Sequence, residues 1–234
     1  MGVARKRALS LCKGRFIAFL DCDDYWDLNK LNIQIKELIK YPDVGVSFSN
    51  SCFFKGNKKK LLYKKAPLDG YIFESLLKRY YISFDTVIIK KIFLKKLGQK
   101  FDERFTITHD LDLLIRLSMI TKFKYLNRTL SWWRIHDKSF SQNKILIINQ
   151  EKIIFLNKLK KILKKNKNKK NYINFFKTNL NQSLIEEYIV TNNKAKFLKL
   201  LLKVKDYNVK NLILLFLVFV PGGSYVYKKF KKSW

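Results

Sequence analysis

The 234-residue sequence is poor in the residues that organise small stapled or metal-built folds. Its three cysteines, Cys12, Cys22 and Cys52, are odd in number and form no CxxC, so neither a disulfide framework nor a zinc ribbon is indicated. A reducing cytosol fits that usage. Two histidines exclude a multi-histidine zinc site. Three prolines and eight glycines in a 47% hydrophobic chain exclude collagen-like and disordered classes. No apolar run reaches the roughly 20 residues that cross a bilayer, and Met1 to Leu11 is basic without a secretory apolar stretch. Acidic residues are scarce, 18 against 49 basic ones, which leaves a net charge of +31. That excess points to an anionic partner: nucleotide phosphate, anionic lipid headgroups or nucleic acid. Lysine-rich filling of solvent-facing positions accounts for it equally well.

Along residues 1–143, short β-like runs alternate with helical patterns, the signature of an α/β domain with a mostly parallel sheet. Ala4 to Lys13 reads as a helix ended by Gly14, and Arg15 to Leu20 as a buried strand running into the polar turn Asp21 to Asp27. Leu31, Ile35, Leu38 and Ile39 mark the apolar stripe of a helix stopped by Pro42. Val44 to Phe54 reads as a strand, Lys55 to Lys65 as a basic loop or hairpin, and Ile72 to Arg79 as a short helix. Phe84 to Lys90 is a further strand, His109 to Ile120 a helix, and Phe123 to Leu126 and Leu130 to Ile135 two short strands. Residues 144–234 turn to Lys-studded amphipathic helices, including KLKKILKKNKNKK at 158–170 and the apolar run LILLFLVFV at Leu212 to Val220. Nine apolar residues flanked by lysines can lie in a membrane interface or pack on the chain's own core.

The sharpest chemical signal is Asp21-Cys22-Asp23-Asp24, three carboxylates directly after an apolar strand, where open α/β sheets bind ligands. Crowded carboxylates need a cation or donors to satisfy them, and Mg²⁺ or Mn²⁺ takes one or two carboxylates while leaving positions for phosphates. Asp27 reads as a cap of the following helix. In His109-Asp110-Leu111-Asp112, residues two apart share no helix face, so Asp110 and Asp112 cannot enter one site together. Asp112 stands four before Arg116 and reads as half of a helix-surface ion pair, which leaves Asp110 either to face a site or to complement the helix dipole as a first-turn acid. Two readings stay open for His136, metal or phosphate contact against a core or solvent-facing histidine. Arg134 can grip pyrophosphate or pair with a nearby acid. Trp132 and Trp133, adjacent on a strand, put one ring on each face.

These stretches resemble glycosyltransferase family 2. Ala4 to Ile35 is similar in order and spacing to the family signature that precedes the DxD-type motif, with Lys6, Ala8 and Leu28 in place of the usual Asn, Gly and Pro. Phe101-Asp102-Glu103 with His109-Asp110-Leu111-Asp112 to Arg116-Leu117 resembles its FDE and base-bearing segment. Trp133-Arg134-Ile135-His136 with Ser139 and Ser141 resembles its closing element. The resemblance implies a GT-A fold and inverting transfer from a nucleotide-diphosphate sugar to a glycan or lipid-linked acceptor, in surface polysaccharide or lipid-linked glycan synthesis. It implies Asp110 as base, donor contacts from Arg5, Asp21, Asp23 and Arg134, and Mg²⁺ or Mn²⁺ held by Asp21, Asp23 and His136.

The expected protein is cytoplasmic, peripheral on the inner face of an anionic membrane in one version, with a GT-A-like domain over 1–143 and a helical appendage over 144–234. Family members begin with a strand-helix-strand unit that has no counterpart in Met1 to Lys13, so an exposed sheet edge is expected beside Phe16 to Leu20, with low or absent activity of this chain alone. The rival is an inactive glycosyltransferase fragment serving as a basic scaffold at a membrane. Nucleic acid is disfavoured, because the basic stretch at 158–170 carries no aromatic to stack on bases.

Overall fold

The computed structural model describes residues 2–98, 101–136 and 144–201. The chain forms two compact units, Met1–Gln142 and Asn143–Trp234. In the first, helix α1 (Gly2–Leu11) precedes strand β1 (Phe16–Ala18), β2 (Tyr25–Trp26) and helix α2 (Lys30–Lys40). Strand β3 (Val44–Lys55) turns into β4 (Lys58–Leu61), the hairpin alternative of the basic segment. Helix α3 (Phe73–Lys78) and a 3-10 turn (Phe84–Thr86) lead to β5 (Ile88–Lys90), α4 (Lys91–Lys96), α5 (His109–Ser118) and β6 (Lys122–Arg134).

The sheet order is β1-β5-β3-β6-β2, with β4 added to β3. Its parallel character is concentrated in the long β3–β6 ladder, from Val44 opposite Lys122 to Phe54 opposite Arg134, while the other pairs are antiparallel. This ladder is the sheet's core: β3 is buried without interruption from Val44 to Cys52, as a strand covered on both faces requires. β6 is one strand where the sequence suggests two. Its exposed Asn127 and Arg128 are absorbed by register shifts opposite Ser49 to Ser51, so a polar interruption bends the ladder without ending it. β1 lies at the sheet edge with β5 as its partner among the described strands, and Leu20 just beyond it is 46% exposed.

Two helices differ from their sequence patterns. The face of α2 that is buried runs through Lys30, Gln34 and Leu38, while Leu31 and Ile39 face solvent. The polar pair is drawn inward because it satisfies backbone and hydroxyl groups the sheet leaves over. Lys30 Nζ donates to Gln34 Oε1 and, at 3.1 Å, to the Thr86 carbonyl; Gln34 Nε2 donates to that carbonyl at 3.0 Å and to Ser47 Oγ at 3.1 Å. The ammonium also stands 4.6 Å from the Trp26 ring centroid. Helix α5 is buried nearly all round, so the Asp112–Arg116 pair is internal and not on the surface as its spacing suggests. Arg116 meets both carboxylate oxygens, Nε to Oδ1 at 3.1 Å and Nη2 to Oδ2 at 2.5 Å, the fork geometry that compensates two desolvated charges.

In the second unit, α6 (Ile145–Ile162) and α7 (Lys169–Val190) join through Phe155 and Phe176, 5.0 Å apart edge to face, and through Asn149 Nδ2, which donates to the Ser183 carbonyl and Glu187 Oε2. Asn192, at a φ of 54°, turns the chain into α8 (Lys194–Leu201), whose Phe197 packs with Ile185 and Ile189. Among the described residues no helix is long and apolar enough to cross a membrane. The Leu212 to Val220 run lies outside the described residues.

Burial pulls Lys30 from 10.5 down to about 7, against the opposing pull of Asp85. Between those two pH values the unfolded chain binds the proton and the folded one does not, so stability rises with pH from about 7 towards 10.5. Thermal melts across pH 7 to 10 are expected to show that rise in the wild type and a flatter profile in Lys30→Met. At Gly45 an added Cβ would meet Thr121 and sit 2.6 Å from Phe93 Cδ2. Gly45→Ala is therefore expected to cost about 1–3 kcal/mol in a urea titration, by overpacking.

Candidate active site

The acid turn is anchored by a residue from far outside it. Arg5, on α1, donates to Asp21 Oδ1 at 2.5 Å and to His109 Nε2 at the start of α5, and its guanidinium lies 5.0 Å from the Phe84 ring centroid. Only 14% of the Arg5 side chain is exposed. Phe19, directly after β1, stacks on Phe84 at 4.4 Å, and Phe84 and Phe101 both pack on the His109 ring at 5.9 Å. These rings exclude water around the histidine. An arginine only donates, so His109 Nε2 must accept, and the ring is neutral with its proton on Nδ1. Burial is the main cause that keeps its pKa below the usual histidine value, helped by Arg5 and opposed by Asp110.

The other two acids of the turn have separate partners. Asp23 Oδ2 meets His136 Nε2 at 2.9 Å, and this hydrogen bond is the main cause holding the Asp23 carboxyl below the ordinary aspartate value. Asp24 Oδ1 accepts the backbone N–H of Arg134 at 2.9 Å, which ties the turn to the end of β6. Burial pushes Asp24 up to about 7, with Asp85, Asp23 and Asp21 adding repulsion. The Arg134 guanidinium lies 5.5 Å from the Phe54 ring centroid, and its charge contributes to the lowering of Asp23. Asp27 does not cap α2 as the sequence suggests: the N-cap is Asn29, with no side-chain cap hydrogen bond, and Asp27 Oδ1 accepts the Asn29 N–H at 2.8 Å in the turn just before the helix.

As a metal fit, the turn offers one carboxylate and one imidazole side by side, Asp23 and His136, with Asp21 engaged by Arg5. Among the described residues no group of three or more His, Cys, Asp or Glu is gathered for a metal. Of the pair, the carboxylate suits a hard ion such as Mg²⁺ or Mn²⁺ and the imidazole a softer one, and the rest of any ion's ligands would have to come from water and substrate phosphates.

Asp110 sits half-buried in the first turn of α5, and its Oδ2 accepts the Tyr80 hydroxyl at 2.9 Å. Asp112 turns the other way, into its pair with Arg116. The remaining acids of the segment are also paired: Asp102 takes Nε and Nη2 of Arg104 at 2.9 and 2.6 Å, and Glu103 takes Lys6 Nζ at 2.5 Å. Trp132 stacks on Tyr25 at 5.2 Å and Trp133 meets Phe53 on the opposite face; both rings are half-buried.

Sequence reasoning missed Tyr80 and Asp85. The Asp85 carboxylate is buried among the hydroxyls of Ser51, Ser83 and Ser131, and its carbonyl accepts Trp26 Nε1 at 2.8 Å. No spacing rule marks either residue; SFDT at 83–86, an acid flanked by hydroxyls after an aromatic, is the faint signal available for Asp85.

Known proteins bear on this arrangement. An uncharacterized glycosyltransferase of Methanocaldococcus jannaschii is 28% identical over 210 residues, 88% of this chain and 70% of its own length. A UDP-Glc:alpha-D-GlcNAc-diphosphoundecaprenol beta-1,3-glucosyltransferase of Escherichia coli is 30% identical over 152 residues, 64% of this chain and 58% of its own length. Among solved structures, S. aureus TarS in complex with UDP-GlcNAc superposes with a TM-score of 0.55 at 14% identity, over 95% of this chain and 62% of that one. At that identity the likeness carries the GT-A type of fold alone. The chain thus spans little more than half the length of the E. coli enzyme and about three fifths of the TarS chain. The model described as "Glycosyltransferase like family 2" matches residues 1–190, from the Arg5 helix through the Asp110 turn and β6 into α7, and the chain belongs to that family.

Proposed function

We propose that this chain transfers a sugar from a nucleoside-diphosphate sugar to a hydroxyl of a glycan or lipid-linked acceptor, with inversion at the anomeric carbon, in the synthesis of a surface polysaccharide or lipid-linked glycan. The observation that carries the reading is Arg5, which bridges Asp21 and His109 and so draws the acid turn and the first turn of α5 to one locality. A donor diphosphate bound at the turn then has a carboxylate, Asp110, within the same region to serve an acceptor.

Asp110 accepts the proton of the acceptor hydroxyl while that oxygen bonds to the anomeric carbon from the face opposite the diphosphate. The anomeric carbon–oxygen bond breaks and the nucleoside diphosphate leaves with the electron pair. Asp23 and His136 would hold the Mg²⁺ or Mn²⁺, which supplies charge stabilisation to the leaving diphosphate when bound. Arg5, Asp21 and Arg134 contribute donor contacts, and the fixed turn keeps donor and acceptor in line. The E. coli relative's name, with UDP-Glc as donor and a diphosphoundecaprenol acceptor, supports a lipid-linked acceptor here, and the +31 charge supports approach to the anionic membrane that carries it.

The test is transfer of labelled glucose from UDP-glucose to GlcNAc-diphosphoundecaprenol, with UDP-GlcNAc as a second donor. Asp110→Asn is expected to lower kcat by roughly 10²- to 10⁴-fold while UDP-sugar binding by calorimetry stays within about twofold. EDTA is expected to abolish transfer and Mg²⁺ or Mn²⁺ to restore it, with Asp23→Asn requiring far more metal. Full turnover in both variants would reject the base and metal assignments. Absence of turnover in the wild type, with salt-sensitive binding to anionic vesicles, would support the scaffold instead.

A further inference from the structure

We propose that Tyr80 is a positioning residue for transfer: its phenol fixes one oxygen of Asp110 so that the other faces the acceptor hydroxyl. The inference rests on Asp110 being the base. Its geometry is the 2.9 Å hydrogen bond from Tyr80 Oη to Asp110 Oδ2, which joins the linker after α3 to the first turn of α5.

The segment carrying Tyr80 is held on both sides. The Tyr63 hydroxyl donates to the Tyr81 carbonyl at 2.6 Å, and the Tyr81 hydroxyl donates to the Leu68 carbonyl at 3.1 Å. On the other side the Arg79 N–H donates to the Ser75 carbonyl at 2.9 Å, closing α3. The backbone at Tyr80 is thus pinned by neighbours, and its ring has only two torsions to fix. A phenol so placed orients a carboxylate at little entropic cost.

The choice of donor also fits a base. The groups bearing on the phenol are Asp110 from α5, Tyr63 from the segment after β4 and Arg5 from α1. Burial, reinforced by Asp110, keeps Tyr80 protonated well above the usual tyrosine range, so it remains a donor at every working pH. A lysine or arginine at that point would orient Asp110 too, but its charge would favour the ionised carboxylate and weaken it as a proton acceptor. A neutral donor fixes direction without placing a charge beside the carboxylate.

Tyr80→Phe keeps the ring and removes only the hydroxyl, so packing is retained. With UDP-glucose and GlcNAc-diphosphoundecaprenol, kcat is expected to fall roughly ten- to a hundredfold, as misplacement of a reacting group does, while donor KM and the melting temperature hold. In the Asp110→Asn background the same change is expected to add nothing, because there is no base left to aim. Unchanged kcat in Tyr80→Phe beside an inactive Asp110→Asn overturns the Tyr80 inference and leaves the base reading standing. A fully active Asp110→Asn, or an inactive wild type, overturns the base reading and the inference with it. A readout free of turnover is the tyrosine ¹³Cζ resonance of Tyr80 in the labelled full chain, assigned by its loss in Tyr80→Phe. Asp110→Ala is expected to shift it, and an unmoved resonance overturns the contact itself.

Discussion

The geometry of the active region depends on one guanidinium that can only donate. Arg5 has Asp21 on one side and His109 on the other, and because it supplies protons to both, it dictates that His109 accept and stay neutral. The strength of this clasp lies at its buried end. Asp21 is 48% exposed, and an ion pair so open to solvent is worth about 0–1 kcal/mol, too little to order a turn. His109 is 3% exposed inside the Phe84 and Phe101 rings, so its contact fixes where the guanidinium stands, and Asp21 then follows. Position, and not stability, is what the pair contributes.

A second constraint sits beneath the first. Among the described residues, the Asp85 carboxylate is met by hydroxyls, three serines from β3, β6 and the segment before the 3-10 turn, and it interacts with Lys30 as a charge. Its field is felt in opposite senses. It supports the ammonium of Lys30, which burial works to discharge, and it raises Asp24, which burial already disfavours as an ion. The serine hydroxyls meet the Asp85 oxygens where water cannot. Close to the acid turn, Asp85 thus adds to the burial that raises Asp24, while the hydrogen bond to His136 lowers Asp23, so two neighbouring acids of one turn are driven in opposite directions.

Much of this was legible in the sequence, and the exceptions share a cause. Period and composition located the strands β1 and β3 and the helices α2, α3 and α5 to within a few residues, because each has an apolar pattern bounded by a turn residue. Spacing alone separated Asp110 from Asp112, since two residues on a helix point apart. What failed to show were side chains buried against their type. Lys30 and Gln34 lie off the apolar stripe of Leu31, Ile35, Leu38 and Ile39, yet they fill the buried face of α2 because the Thr86 carbonyl and Ser47 hydroxyl sit under it, a demand that exists only once the sheet is assembled. Tyr80 and Asp85 are invisible for the same reason: Asp110 lies 30 positions from Tyr80, and apart from the nearby Ser83 the hydroxyls on Asp85 lie 34 and 46 positions away, so no local period marks them. Helix α4 escaped because six lysine-rich residues carry too short a pattern to register.

The three carboxylates after β1 look in sequence like one ligand cluster, but the fold gives each a separate task. Asp21 is turned to Arg5, Asp24 to the Arg134 backbone, and Asp23 to His136. On the proposed reading this division has a consequence for how donor and ion bind. A cage of three carboxylates would hold a divalent ion tightly by itself, whereas Asp23 with one imidazole leaves most of the coordination sphere to water and diphosphate oxygens. An ion held by Asp23 and His136 would supply charge to the diphosphate, and by the reciprocity of linkage the donor would strengthen the ion's binding by the same factor. The same two side chains that would hold an ion already satisfy each other through the 2.9 Å hydrogen bond between Asp23 and His136, so the turn needs no ligand to keep its shape.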